Sequence, residues 1–468
     1  MYKEKINAYI ESHRQEIIND TSLLCQINSV KMPAKDGEPY GPGVARCLNV
    51  ALDMAQLYGF PVADYDGYVG CVDFGTDLPR HLDILAHLDI VPAGEGWTQT
   101  EAFIPLEKDG KLYGRGTSDD KGPAVAALYA MRAVKELGIP LAKNVRLILG
   151  TDEECGSSDI AYYYSKEAPA PMTFSPDASY PVVNVEKGGL HGHFTARFTP
   201  SDALPRLVSI QAGTKLNVVP GKAVAMVEGM DLSVLEDKAK QVEEKTGVHF
   251  EWGQEGEVQA ITAVGVGAHA SKPEDGNNAI TGLLTLLAAL PFAPCGQMEK
   301  LAQVAALFPH GDVNGTTLGI DLEDEISGRL TLAFSMLAVD ASGLEGQFDS
   351  RVPVCGNREN VLEVVRGKME GKGITLLSDS MRPAHHVPAD SDFVRTLLDA
   401  YESYTGRKGE CLSMGGGTYV HGLENGVAFG AAMPETDNHM HGADEFALID
   451  ELLLSAKIFA QVIVDLCS

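Results

Sequence analysis

The stretch LDILAHLDIVPAGEGW, Leu82 to Trp97, alternates like a β-strand yet carries an imidazole and carboxylates among its apolar residues. Leu82, Ile84, Ala86, Leu88 and Ile90 fall on one face, and Asp83, Leu85, His87 and Asp89 on the other, because successive side chains of a strand point to opposite sides. Pro92 and Gly94 then close the strand, proline having no N–H for a ladder and glycine favouring a turn. His87 and Asp89 therefore stand side by side at a strand end, a costly place for two polar groups with no task.

Up to about Tyr180 the surrounding sequence alternates helices and strands, the pattern of an α/β layer fold. NVALDMAQLYGF reads as a helix stopped by Gly59, and YVGCVDFG and NVRLILG as strands. PAVAALYAMRAVKELG sets Val125, Leu128, Met131, Val134 and Leu137 near one helical face, with Gly138 and Pro140 as stops. From about Glu186 the character shifts: GGLHGHFTARF, EGEVQAITAVGVGAHA and RLTLAFSMLAVD suggest strands, with helices such as DLSVLEDKAKQVEEKTG between them. The α/β manner resumes near PADSDFVRTLLDAYESYTG and closes with the helix LIDELLLSAKIFAQVIVDL. The expected organisation is a discontinuous α/β domain, residues 1–185 and 385–468, interrupted by an α+β insertion, residues 186–384.

With 468 residues, 44% hydrophobic and 22% charged, the chain has a globular composition and a length that favours more than one domain. A formal net charge of −28 argues against nucleic acid as a partner, since phosphate backbones demand a basic surface. The eight cysteines are scattered with no CxxC pair, and the opening MYKEKINAYIESHRQEI reads as a polar helix rather than a signal peptide. No apolar run approaches the roughly 20 residues that span a bilayer. A cytoplasmic protein with neither membrane nor nucleic-acid partner is the expectation.

Further polar clusters accompany His87 and Asp89. YGRGTSDDKGP places Asp119 and Asp120 directly before a helix, TDEECGSSD places Glu153 and Glu154 after a strand, SPDAS offers Asp177, and TDNHMHGADEF offers His439 and His441. Adjacent carboxylates repel one another, so a pair at a buried strand end calls for a compensating cation. Either pair alone fits a solvated loop; the whole set, at successive strand ends, fits a metal site better. Imidazole with carboxylate suits zinc, with Mn or Co as alternatives, and two ions can share one bridging carboxylate.

AHLDIVPAG, YGRGTSDDKGP, TDEECGSSD, SPDAS, GVGAHASKPEDGNNAI and MHGADE, in that order along nearly the whole chain, resemble the motifs of the M20 metallopeptidases, and within them the PepV-type (Xaa-His or β-Ala-Xaa) dipeptidases. The resemblance implies a zinc-peptidase-like α/β domain with a mixed sheet flanked by helices, plus an inserted α+β lid. It implies two Zn2+ ions, one held by His87, Asp119 and Asp177 and the other by Asp119, Glu154 and His441, with Asp119 bridging. Glu153 corresponds to the general base, and Asp89 to the carboxylate that orients His87. His269 corresponds to an oxyanion donor, Asn217 and Arg351 to substrate contacts with the arginine at the carboxylate end, and Gly415 and Gly416 to main-chain donors there. A cis Asp119–Asp120 peptide is also implied. Three carboxylates against two divalent ions leave residual positive charge, which would lower the pKa of a bound water.

Other residues read as structural. His439 is a loop residue, His191, His193, His385 and His386 are structural or solvent-facing, and Cys155 is core filler. Ala102 before Phe103, where relatives usually have proline, and His421, where they often have arginine, depart from the family pattern. The expected activity is hydrolysis of unblocked dipeptides by a monomer, a homodimer being the alternative. An N-acyl-amino-acid deacylase or desuccinylase is the nearest rival, and a non-catalytic peptide-binding protein the remote one.

Overall fold

The structure, a computed structural model, describes residues 2–468, the side chain of Glu255 excepted. The central strand is Arg80–His87, ending at His87 rather than at Ile90. The last ladder bond is the Leu88 N–H donating at 2.9 Å to the carbonyl of Gly150, the partner of His87. Beyond it the ladder gives way to single contacts: the Ser29 hydroxyl donates to the Leu88 carbonyl at 2.6 Å, and Ile90 forms an isolated bridge with Val30.

This strand runs parallel to both Asn144–Gly150 and Met172–Ser175. From one edge the order of this nine-stranded sheet begins Val62–Tyr65, Val69–Asp73, Asn144–Gly150, Arg80–His87, Met172–Ser175, Gly426–Ala428. The first two strands are antiparallel to each other and Val69–Asp73 is antiparallel to Asn144–Gly150, so the sheet is mixed. Parallel neighbours bring their carboxyl ends to one edge, where open α/β sheets hold ligands.

Helices cover both faces, so the alternation of Leu82–Ile90 separates two cores rather than core from solvent. Leu82, Ile84, Ala86 and Leu88 pack in one cluster with the helices Lys121–Glu136 and Ile449–Cys467. Leu85 belongs to another, with Val69, Cys71, Ile148, Tyr163 and Tyr419. Asp83, on that second face, is fully buried and accepts from Nε of Arg80 at 2.7 Å. Removing the arginine would leave an unpaired buried carboxylate, a loss of about 3–5 kcal/mol.

The helix Lys121–Glu136 was expected to bury one stripe, yet Val125 through Met131 are all buried. Ala124, Ala126, Ala127, Ala130 and Ala133 keep its other faces thin enough for close packing. Gly122 is required at its first turn, because a Cβ there would lie 2.0 Å from the Thr117 carbonyl oxygen. Lys121 is wholly buried, its ammonium donating to the carbonyls of Leu24 and Ile27 at 3.1 and 2.9 Å. The closing helix Ile449–Cys467 buries Leu452, Leu453, Phe459, Val462 and Ile463; truncating a buried phenylalanine such as Phe459 to alanine costs about 3–5 kcal/mol.

The chain divides into two units, residues 1–185 with 386–412 and 417–468, and residues 186–385 with 413–416. The second unit holds an antiparallel sheet ordered His249–Glu255, Val258–Val264, Lys222–Glu228, Arg206–Ala212, Thr331–Val339, Gly343–Val352, Gly188–Arg197, Thr375–Leu376. Its alternate residues Ala223, Ala225 and Val227 share a core with the helices Leu232–Thr246, Ala279–Ala289 and Gly296–Leu307. Asp231 and Asn278 cap two of these helices through N–H groups of Ser233 and of Ile280 and Thr281, and Gly247, at φ +70°, ends the first. No helix among the described residues is long and apolar enough to cross a membrane.

Candidate metal centre

The sheet edge gathers five polar side chains. His87 ends its strand, Asp119 immediately precedes the pre-helical Asp120, Glu154 lies in the single turn Glu153–Cys155 after Asn144–Gly150, and Asp177 follows Met172–Ser175. His441 comes from the loop before Phe446–Leu448, with φ +64°. His87 Nε2 lies 2.9 Å from Asp119 Oδ1 and 3.7 Å from Asp177 Oδ2. His441 Nε2 lies 2.8 Å from Asp119 Oδ2 and 3.2 Å from Glu154 Oε1. Within each triad, His87–Asp119–Asp177 and Asp119–Glu154–His441, ligand atoms lie within 4.8 Å of one another. Asp119 belongs to both and turns one oxygen to each imidazole. Hard carboxylates and borderline imidazoles, in two groups sharing one carboxylate, are a donor set that fits a pair of first-row divalent ions.

Buried neighbours hold these groups in place. His87 Nδ1 lies 3.0 Å from the main-chain oxygen of Asp89 and 3.4 Å from its Oδ1. An Nδ1–H donated to that carbonyl leaves Nε2 unprotonated toward Asp119, the form a metal needs. The Asp89 carboxylate accepts the N–H groups of Glu153 and Glu154, each at 3.1 Å. Asp120 accepts the His87 N–H at 3.1 Å, and the Asp119–Asp120 peptide is cis.

The electrostatics reflect crowded acids. Burial and then the charge of Asp119 push Asp177 up to about 7. Burial, followed by Asp177, pushes Glu153 well above the usual carboxylate range. Hydrogen bonds to Asp119 and Glu154 raise His441 to about 10. Burial opposes the charged form of His87, yet Asp119 and Asp89 outweigh it and raise the imidazole well above its ordinary value. Burial opposes ionisation of Asp119 too, but the two histidines hold it below its ordinary value.

One participant has no role assigned from the sequence. Glu445 is fully buried, its Oε1 accepting the N–H groups of Gly116, Ser118 and Asp119 at 3.0, 3.1 and 3.3 Å, its Oε2 accepting from Arg115 at 2.5 Å. Its only signal in the sequence was its place four residues after His441.

The second unit brings together its own candidates. Val218 pairs with His269 across a short ribbon, and the Asn217 carbonyl accepts the Ala270 N–H at 2.9 Å, so Asn217 and His269 are neighbours. Nδ1 of His269 accepts the Ser271 N–H at 3.2 Å, which puts the proton of the neutral ring on Nε2. Arg351 donates to Asp349 at 2.6 Å and to the Gly415 carbonyl at 2.8 Å. A Cβ on Gly415 would lie 2.8 Å from that of Ser271, so a glycine is needed there, with Gly416 next along the chain.

His439 is an exposed loop residue at φ +56°. His191 is exposed beside Asp349 and His193 half-exposed beside Glu345, and His385 is buried. Cys155 is exposed rather than core filler, because the turn that carries it leaves the sheet edge.

An α/β sheet with carboxylates and imidazoles gathered at its strand ends is a construction that metal-dependent hydrolases use. The chain belongs to peptidase family M20/M25/M40, whose model matches residues 84–465. YtjP of Bacillus subtilis (strain 168) is 36% identical over 464 residues, with 97% of each chain covered. The Beta-Ala-Xaa dipeptidase of Lactobacillus delbrueckii subsp. lactis is 33% identical over 461 residues, again with 97% of each covered. Among solved structures, human carnosine dipeptidase 1 superposes with a TM-score of 0.62 at 17% identity, covering 100% of this chain and 99% of that one, a likeness of fold.

Proposed function

We propose that the protein is a dinuclear metal-dependent dipeptidase, with zinc as the ion and unblocked dipeptides as substrates. The observation that carries this reading is Asp119, whose two oxygens face His87 and His441 at 2.9 and 2.8 Å as a bridging carboxylate requires. His87, Asp119 and Asp177 would hold one ion, and Asp119, Glu154 and His441 the other. Bound there, such ions polarise a scissile carbonyl and lower the pKa of a water.

The rest is the work of the chain. Glu153 takes the proton of the attacking water as a carboxylate and delivers it to the leaving amine as a carboxylic acid. Asp89 fixes the turn that carries Glu153 and the loop beyond His87. His269 donates Nε2–H to the developing oxyanion, and Asn217, Arg351, Gly415 and Gly416 hold the substrate, the arginine at its carboxylate. The full-length similarity to the Lactobacillus Beta-Ala-Xaa dipeptidase supports a dipeptide substrate. The reading extends to a cytoplasmic monomer.

The test is a panel of free dipeptides, β-Ala-His among them, beside N-acetyl and N-succinyl amino acids, with zinc- or manganese-loaded protein. Turnover of the free dipeptides is expected. Turnover of the acylated compounds alone would reassign the protein as a deacylase.

A further inference from the structure

Three chain segments that carry candidate ligands meet at one buried ion pair. Arg115, 1% exposed, donates from Nη1 to Glu445 and from Nη2 to the carbonyls of Pro92 and Ala93, each of the latter at 3.3 Å. Pro92 and Ala93 belong to the loop that leaves His87 and Asp89. Glu445 accepts three N–H groups from Gly116 to Asp119, and its own carbonyl accepts the Gly114 N–H at 2.9 Å. It sits four residues after His441, in a loop tied again to the Asp119 loop by the Asn438 amide donating to the Ser118 hydroxyl. The guanidinium fork and the carboxylate thus join the His87, Asp119 and His441 segments.

We propose that the Arg115–Glu445 pair positions the metal ligands, setting His87, Asp119 and His441 in register, so that its strength governs metal affinity. Neither residue offers an atom to either ligand triad; they act through Asp119 and the two histidine loops. A buried carboxylate needs its lone pairs filled, and many kinds of donor could fill them. Here both oxygens are filled by four donors, three of them main-chain N–H groups of the bridging ligand's own loop, so the groups that solvate the charge are the ones that fix Asp119. The chemistry also demands arginine, because a lysine ammonium cannot span Glu445 and two carbonyls in one plane.

This inference rests on the metal-centre reading, and the experiment separates the two. Zinc and manganese are titrated calorimetrically into chelated wild-type protein, Arg115→Lys, and the double variant Arg115→Met/Glu445→Gln. The lysine keeps the buried charge, and the double variant leaves none uncompensated, so each can fold; circular dichroism and melting temperature are recorded alongside. The expected result is two ions bound by wild type and an affinity lower by about 10–100-fold in the variants, at temperatures where they are folded. Two ions bound by either folded variant within threefold of the wild-type affinity would overturn the positioning role, even with a lowered melting temperature. A wild type that binds no pair of ions would instead overturn the metal-centre reading itself.

Discussion

The carboxylate of Asp89 accepts the main-chain N–H of Glu153 at 3.1 Å, across the gap between two parallel strands. Its second oxygen takes the N–H of Glu154 at the same distance. One side chain thus fixes the turn that presents both the proposed base and a proposed ligand, while its main-chain carbonyl faces His87. Replacing it with asparagine turns one acceptor into a donor pointed at an N–H. Asp89→Asn is expected to lower kcat by about 10–100-fold, with a steady-state assay and metal analysis as the check. Wild-type turnover would remove Asp89 from the arrangement.

Glu153 is expected to matter for turnover and not for metal binding. Glu153→Gln keeps the volume and loses the proton carrier, so kcat should fall by about 10²–10⁴-fold. Elemental analysis of the same preparation should give the wild-type metal content. A fall in both together would make Glu153 a ligand instead.

Metal uptake should release protons. His87 is raised well above its ordinary value and His441 to about 10, so both carry a proton near neutral pH in chelated protein. Ligation requires neutral rings and an ionised Asp177, so protons should leave at pH near 7.5, about two of them from the rings. Calorimetry in two buffers of different ionisation enthalpy counts them, and a count of zero would contradict charged imidazoles in the chelated protein.

The same groups set a pH dependence for chelated protein. Asp177 stands at about 7 against an ordinary 3.8, and His441 at about 10 against 6.5. A group raised on folding gives stability that is full below its unfolded pKa and is lost as pH rises through its folded one. Asp177 therefore withdraws support from pH 3.8 to about 7, and His441 from 6.5 to about 10. The melting temperature with chelator should fall by a few degrees between pH near 5 and pH near 8, while the increment gained on adding metal grows. Opposite slopes would contradict the assigned shifts.

Arg351 is expected to act on binding. Arg351→Lys gives up planar pairing with a carboxylate, so KM for dipeptides should rise roughly tenfold with a smaller change in kcat. An unchanged KM would remove it from the substrate.

The strand at Leu82 and its buried histidine were legible because period-two alternation survives burial on both faces. Its end was not: the Leu88 N–H makes the last ladder bond, to Gly150, where the partner strand itself stops, and alternation does not record where a neighbour ends. The helix Ala279–Ala289 escaped notice because AITGLLTLLAA is apolar nearly all round and offers no helical stripe. The donor set was legible as ordered motifs, whereas Glu445 was not, since its partners are main-chain N–H groups of a loop distant in sequence. Cys155 differs because a thiol that a complete donor set does not need reads as core filler, whereas consecutive side chains of this turn diverge: Glu154 faces the site and Cys155 faces solvent.

The central claim is that Asp119 bridges two ions, and anomalous diffraction from crystals grown with zinc or manganese tests it most directly. The account predicts two peaks about 3.5–4 Å apart, one between His87 and Asp177, the other between Glu154 and His441, with Asp119 touching both. A single peak, or two ions bound away from Asp119, would contradict it.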